Sequence, residues 1–242
     1  MNENPTEPAV QTYTAILEDK QVYNEKFTHY SFELKNPHRL EFKAGQYVSF
    51  LISADGLRRS YSIISTPDIQ HGFEILVEPI AGGKGTAYLE SLNFGDEVSV
   101  LAPLGQFTIA NTQDERNLAF VATGVGVAPM RSMILDLLRN KQDSREMMLY
   151  WGLRYATDMI WQDEFLNISK TFANFHFHPV ISRPVKEWTL CRGRVTDCLN
   201  VHQLTENTAY YICGSEQMVQ DVIKVLKAKG VEDKWMHFEK FN

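Results

Sequence analysis

The stretch Leu118-Ala-Phe-Val-Ala-Thr-Gly-Val-Gly-Val-Ala-Pro-Met-Arg131 restricts the fold of this chain more than any other. Leu118 to Ala122 form an unbroken apolar run, the pattern of a strand buried on both faces. Thr123-Gly-Val-Gly-Val-Ala-Pro129 then turns the chain, and Met130 to Arg139 place Met130, Met133, Ile134, Leu137 and Leu138 at helical spacing. A glycine-rich turn between strand and helix lets backbone N–H groups and a helix N-terminus face an anion such as a pyrophosphate. Pro129 suits the first helical turn, where its missing donor is not needed. A glycine turn that merely lets a helix pack close to a strand would read the same way. The rest of the chain has to decide between the two.

With 242 residues there is room for two modest domains of roughly 100 to 130 residues, each with its own core. The formal net charge of −6 disfavours generic attraction to nucleic acid or to an anionic membrane. Cys191, Cys198 and Cys213 show no C-x-x-C spacing, so neither a disulfide framework nor a metal cluster is expected. The polar, acidic start Met1-Asn-Glu-Asn-Pro-Thr-Glu-Pro8 does not read as a signal peptide. No apolar run approaches the ~18–20 residues that span a bilayer. These features together lead to the expectation of a cytoplasmic protein.

Residues 1–9 read as a flexible tail. From there to about residue 112 the pattern is short β segments divided by turns: Thr12 to Leu17, Thr28 to Leu34, Tyr47 to Ile52, Ser60 to Ile64, Gly72 to Val77 and Glu97 to Leu101. Six closely spaced strands predict a six-stranded antiparallel Greek-key β-barrel over 10–112. One helix is expected in it, Thr86 to Leu92, following Gly82-Gly-Lys-Gly85. The polar stretch Asn111 to Asn117 reads as a linker.

Over 113–242 strands and helices alternate. Met147 to Trp151, Phe175 to Ile181, Tyr210 to Cys213 and Lys234 to Phe238 are expected strands, and Asp163 to Asn167 and Met218 to Lys229 are expected helices. Such alternation predicts a doubly wound parallel α/β sheet. The order matters, because a dinucleotide-binding dehydrogenase normally puts its nucleotide-binding unit first.

Four motifs in this order resemble those of the ferredoxin–NADP reductase superfamily of flavoproteins. Arg59-Ser-Tyr-Ser62 is similar to the family's R-x-Y-S/T flavin signature, and Gly82-Gly-Lys-Gly-Thr86 to its phosphate-binding loop. Thr123-Gly-Val-Gly-Val-Ala-Pro129 resembles the T-G-x-G-x-A-P nicotinamide loop, and Cys213-Gly-Ser-Glu-Gln-Met218 resembles C-G-x-x-x-M. The resemblance implies an FAD domain followed by an NAD(P) domain. Arg59 would neutralise the FAD pyrophosphate, Tyr61 would offer a ring and a hydroxyl, and Ser62 would reach flavin N5. Ser60, Leu76, Val77, Glu78, Gly83, Lys84, Gly85, Thr86 and Thr123 complete the implied FAD set. Glu239-Lys-Phe241 is similar to the E-x-aromatic ending that covers the isoalloxazine, so Phe241 joins that set, and Asn242 runs one residue past the usual end. An exposed arginine, an ordinary capped helix and an edge-strand aromatic are the plain readings of these positions.

The same resemblance assigns NAD(P) to Thr123, Gly124, Gly126, Pro129, Gly152, Leu153, Cys213, Gly214 and Met218, and hydride chemistry to Ser62, Cys213 and Glu239. Arg154, Ser182, Arg183 and Arg194 stand where NADP-linked members carry guanidiniums for the 2′-phosphate, so NADPH is slightly favoured over NADH. No C-x-x-x-x-C-x-x-C is present for a plant-type cluster, and no metal is expected. The expected activity is hydride uptake from NAD(P)H by flavin and single-electron delivery by a monomer to a separate acceptor, a ferredoxin or an oxygenase component. A non-enzymatic flavin-binding electron-transfer subunit of a larger complex and a free-flavin reductase are the alternatives.

Overall fold

Alternating burial along successive strands closes the first unit into a barrel. The computed structural model describes residues 8–110, 114–202 and 206–241, and the chain divides into units Met1–Thr108 and Ile109–Asn242. The expected boundary at 112/113, the first half of the expected linker and all but the end of the expected tail lie outside the described residues.

In the first unit the strands are β1 (Gln11–Val22), β2 (Thr28–Asn36), β3 (Tyr47–Leu51), β4 (Arg58–Ser62), β5 (Gly72–Val77) and β6 (Glu97–Leu104). They pair antiparallel in the order β4-β3-β6-β1-β2-β5. The two edge strands meet through an Ile63–Ile75 bridge, and Ile64 N–H donates to Glu74 O at 2.9 Å. That single bridge closes the sheet on itself just past the end of β4. Tyr13, Ala15 and Leu17 alternate inward on β1 as Tyr30, Phe32 and Leu34 do on β2. Phe32 packs its ring 5.2 Å from those of both Phe50 and Phe73, so Phe32→Ala is expected to cost about 3–5 kcal/mol. The helix α1 (Lys84–Ser91) starts two residues before the expected position, because Thr86 does not cap it: the Thr86 hydroxyl accepts from Ile80 N–H at 3.2 Å instead.

In the second unit the order is β7 (Asn117–Thr123), α2 (Val127–Leu135), β8 (Glu146–Leu153), α3 (Gln162–Thr171), β9 (Phe175–Ile181), β10 (Cys191–Arg192), α4 (Val195–Val201), β11 (Thr208–Ser215), α5 (Glu216–Ala228) and β12 (Met236–Phe241). All pairs are parallel, in the order β10-β9-β8-β7-β11-β12. The chain enters at β7, winds outward to β10, then returns to β7's other side with β11. This reversal lies between β7 and β11, where ligands bind in sheets of this kind.

Several elements run longer than expected, β1 to Val22 and α3 over Gln162–Thr171 among them, and other differences have local causes. Helix α2 begins at Val127, earlier than Met130, and widens after Leu135 into a π turn at Asp136–Asn140. The last strand begins at Met236 rather than Lys234, because Asp233–Trp235 forms a helical turn. Strand β10 and helix α4 were not anticipated, being only two and seven residues long.

Candidate functional site

In the barrel unit, the first two motifs come together. Arg59 and Ser60 are exposed on β4, Tyr61 is half-buried against the core, and Ser62 is buried. Gly85, in the first turn of α1, lies so close to β4 that a Cβ there would overlap the Tyr61 hydroxyl and crowd the Arg59 side chain. A glycine is thus what lets the helix N-terminus approach Arg59. The N-cap is Gly83, with no capping side chain and no acidic residue in the first turn, so the leading N–H groups remain available to an anion. Thr86 uses a lone pair on Ile80 N–H and keeps its proton to donate. Arg59 donates to the Arg58 carbonyl at 2.8 Å, and among the described residues no carboxylate pairs with it. These groups fit a pyrophosphate. Burial pushes the Tyr61 hydroxyl up to about 12, against the opposing pull of Arg59, so it stays a neutral hydrogen-bonding group.

Other members of the FAD set have structural tasks. Val77 points into the barrel core, Leu76 is buried, and Glu78 forms an ion pair with Lys26 at 3.5 Å. Ser60 donates to Ser49 Oγ at 3.3 Å across the β3–β4 pair, and Lys84 is exposed.

In the second unit, the other two motifs meet at the sheet's reversal point. Thr123-Gly-Val-Gly126 leaves β7, and Cys213-Gly214 ends β11 beside it. A Cβ on Gly126 would overlap the Cys213 carbonyl oxygen. Thr123 Oγ1 and the Met218 methyl crowd Gly214 in the same way. Trp151, fully buried on β8, donates its indole N–H to Gly124 O at 3.0 Å and pins the turn, a residue that sequence reasoning missed. Pro129 lies in the first turn of α2 as expected. Gly152 and Leu153 end β8, and Gly152 leaves only 2.7 Å between a hypothetical Cβ and the Val195 methyl Cγ1.

Cys213 is fully buried, and burial together with the nearby Glu239 carboxylate raises its thiol pKa well above the usual value. Glu239 pairs in register with Cys213 across β11–β12. Its Oε2 is buried without a hydrogen-bond partner, and burial raises its pKa to about 7. A buried carboxyl oxygen without a partner is uncommon in folded proteins. Phe241 is the last residue of β12, half-buried opposite Ser215, and Asn242 lies outside the described residues.

The arginines emerge at the carboxyl ends of their strands. Ser182 N–H donates to Leu153 O at 3.0 Å and Arg183 N–H to Arg154 O at 2.9 Å, which sets the loops after β8 and β9 side by side. Gly193 N–H donates to Ile181 O at 2.9 Å, so Arg194 starts from the same end. Arg154, Arg183 and Arg194 are exposed, and among the described residues none of their guanidiniums forms an ion pair, though Arg194 N–H donates to Asp197 Oδ2 at 2.7 Å. Arg183 Nη1 donates to the Tyr155 hydroxyl at 3.2 Å, a partner not foreseen from sequence. By contrast Arg131 is committed to the structure, bidentate to Glu164 at 3.0 and 2.8 Å and stacked over Trp161.

One expectation is overturned. Cys191 and Cys198 are joined as a disulfide, and His202 Nε2 lies 3.7 and 3.8 Å from their sulfurs. The sequence offered no C-x-x-C, yet β10 and α4 fold these residues onto one point. Their ligand atoms all lie within 4.8 Å of one another, a grouping that could hold a metal ion.

Residues 14–109 match the oxidoreductase FAD-binding domain and residues 120–224 the oxidoreductase NAD-binding domain. The chain is 32% identical over 210 residues to the F subunit of the Na(+)-translocating NADH-quinone reductase of Neisseria meningitidis, covering 80% of this chain and 51% of that one. It is 30% identical over 239 residues to the phenol hydroxylase P5 protein of Acinetobacter pittii, covering 96% of this chain and 66% of that one. It therefore spans about half to two thirds of the length of these curated relatives. Among solved structures, a cytochrome P450 reductase of Amycolatopsis superposes with a TM-score of 0.89 at 27% identity, over 97% of this chain and 71% of that one. Among the described residues no helix is long and apolar enough to cross a membrane.

Proposed function

The chain belongs to the ferredoxin–NADP reductase superfamily of FAD- and NAD-binding oxidoreductases, and from that premise we propose that it is an NAD(P)H-dependent flavoprotein reductase serving a separate acceptor protein. The acceptor class is a ferredoxin or an oxygenase component, a reading supported by the likeness to a phenol hydroxylase component and to a P450 reductase. We further propose a cytoplasmic monomer. When bound, FAD accepts hydride and releases electrons singly, chemistry that side chains lack.

The residues supply binding, orientation and proton control. Arg59, the leading N–H groups of α1 and the Thr86 hydroxyl would hold the FAD pyrophosphate. Tyr61 and Ser62 would orient the ring system from β4. The Thr123–Gly126 turn and the start of α2 would take the pyrophosphate of NAD(P). Arg154, Arg183 and Arg194 would select its 2′-phosphate. Cys213, kept protonated by burial, adds no negative charge where nicotinamide would bind, and Glu239 holds its proton up to about pH 7. The observation that carries this reading is pairwise convergence: Gly85 on Arg59 and Tyr61, and Gly126 on Cys213.

The test is the purified protein itself. It should be yellow, with about one FAD per chain, and anaerobic mixing with NADPH or NADH should bleach the flavin. Tightly held FMN in place of FAD would overturn the pyrophosphate assignment. The likeness to one subunit of an NADH-quinone reductase favours one second reading, a flavin-binding electron-transfer subunit of a larger complex. Flavin that neither nucleotide bleaches would favour it.

A further inference from the structure

On either side of Arg194, β10 and α4 build a small cluster of sulfur and imidazole donors. Cys198 and His202 are four apart at the end of α4, so one helical face presents both, and Cys191 on β10 closes the third side. His202 directs Nε2 at the two sulfurs, 3.7 and 3.8 Å away. Its other nitrogen, Nδ1, lies 3.4 Å from the Tyr150 hydroxyl, which is itself held by stacking on His178 with centroids 4.8 Å apart. Lys229 donates to His202 O at 3.1 Å and to Asn200 O at 2.9 Å, fixing the end of the helix. A disulfide alone has no use for an imidazole aimed at both sulfurs with its far nitrogen held by a phenol.

We propose that, once a dithiol reductant has given two electrons and two protons to the disulfide and been oxidised to its own disulfide, Cys191, Cys198 and His202 bind one thiophilic divalent cation of the zinc type. A tetrahedral ion with metal–sulfur bonds of about 2.3 Å and a metal–nitrogen bond of about 2.0–2.1 Å sets sulfur and nitrogen roughly 3.6 Å apart. The observed sulfur–nitrogen distances are close to that edge. Nδ1–H donating to the Tyr150 oxygen would fix the tautomer that leaves Nε2 free to ligate. Binding forms two metal–thiolate bonds and one metal–imidazole bond, and the two thiol protons pass to solvent. Water would complete the fourth position. Soft thiolates with imidazole select zinc over magnesium or calcium. Oxidation to the disulfide and metal binding exclude one another, because both use the same sulfur electron pairs. The site ties β10 to α4 on either side of Arg194, and so stiffens the segment that carries that guanidinium.

Cobalt(II) is the probe. Untagged, FAD-loaded full-length protein is reduced with a phosphine, freed of reductant and metal, and titrated with cobalt(II) under nitrogen. Difference spectra should show a near-ultraviolet thiolate-to-cobalt charge-transfer band and intense tetrahedral bands to the red of the flavin, saturating at one cobalt per chain and displaced by zinc. Without reduction no band should appear. Cys198→Ser should abolish it, His202→Gln should weaken binding at least tenfold, and His202→Cys should restore binding with stronger charge transfer from a third thiolate. Zinc should raise the thermal midpoint of the reduced protein and leave that of Cys198→Ser unmoved. Reduced protein that takes up no cobalt would overturn the proposal. So would a Cys198→Ser variant that keeps the charge-transfer band, or a His202→Gln variant that binds as tightly as the parent.

Discussion

Each unit uses a glycine to bring the start of a helix against a neighbouring strand, but the two press on different materials. In the barrel, Gly85 lets α1 press against the ends of side chains, the Tyr61 hydroxyl and the Arg59 stem. In the parallel sheet, Gly126 presses against main chain, the Cys213 carbonyl at the heart of the unit. Side-chain ends can swing aside, whereas a carbonyl on a strand paired on both sides cannot. A barrel has its interior filled by its own core and must build the site on its outer strands. A doubly wound sheet provides the site through its topology, at the reversal between β7 and β11.

Mutating the two glycines tests that contrast most directly. Gly126→Ala should destabilise the protein by about 3 kcal/mol, the upper end of ordinary overpacking, read as a lowered denaturant midpoint. Gly85→Ala should cost about 1 kcal/mol in stability while loosening FAD, because Arg59 and Tyr61 must move. Equal losses of stability would break the comparison.

Next in size is the barrel's charged contact. Arg59→Ala should remove about 1.5–3 kcal/mol of phosphate binding, weakening FAD by roughly 10- to 150-fold with little change in the folding midpoint of the apoprotein. Fluorescence titration of the apoprotein with FAD measures it, and unchanged affinity would remove Arg59 from the site. On the sheet's side, Arg183→Ala should raise KM for NADPH by about tenfold, roughly 1.4 kcal/mol, and leave KM for NADH nearly unchanged. Equal effects on both nucleotides would end the case for a 2′-phosphate clamp. Tyr155→Phe, which removes the oxygen that Arg183 donates to, should give a smaller shift in the same direction.

The smallest effect is a pH dependence. Glu239 is raised to about 7 in the folded chain from an ordinary value of 4.5, so folded protein keeps a proton that unfolded protein has lost. Stability should therefore fall as pH rises from about 4.5 to about 7 and flatten above that, and Glu239→Gln should remove this slope. The rate of flavin reduction should carry an inflection near pH 7 that the same variant removes. A parent profile without that inflection would mean Glu239 titrates outside the step.

Much of the fold was legible because its signals are local. Alternation at Tyr13, Ala15 and Leu17, the apolar run Leu118–Ala122 and the glycine turns each declare their structure within a few residues. The strand Gly72–Val77 and the strand Phe175–Ile181 fall where their patterns place them. Strand β10 left no such trace, since two residues carry no period and its existence rests on hydrogen bonds to β9. Tyr155 was invisible as a partner of Arg183 for a similar reason: 28 residues separate them, and only the adjacent loops bring them together.

By itself the sequence determined the kinds of parts: a β-rich half, an α/β half, and four motifs whose glycines, arginine and cysteine point to flavin and nicotinamide. Period and turn chemistry are short-range properties, and a linear chain states them directly. Tertiary structure alone decided which parts meet. It set Gly85 on Arg59, Gly126 on Cys213, and Glu239 beside Cys213 with one oxygen orphaned. It also drew Cys191, Cys198 and His202 to one point, although their spacing gave no warning. Strand order and helix packing fix these encounters, and they arise from burial summed over a whole unit, which no single stretch of residues carries.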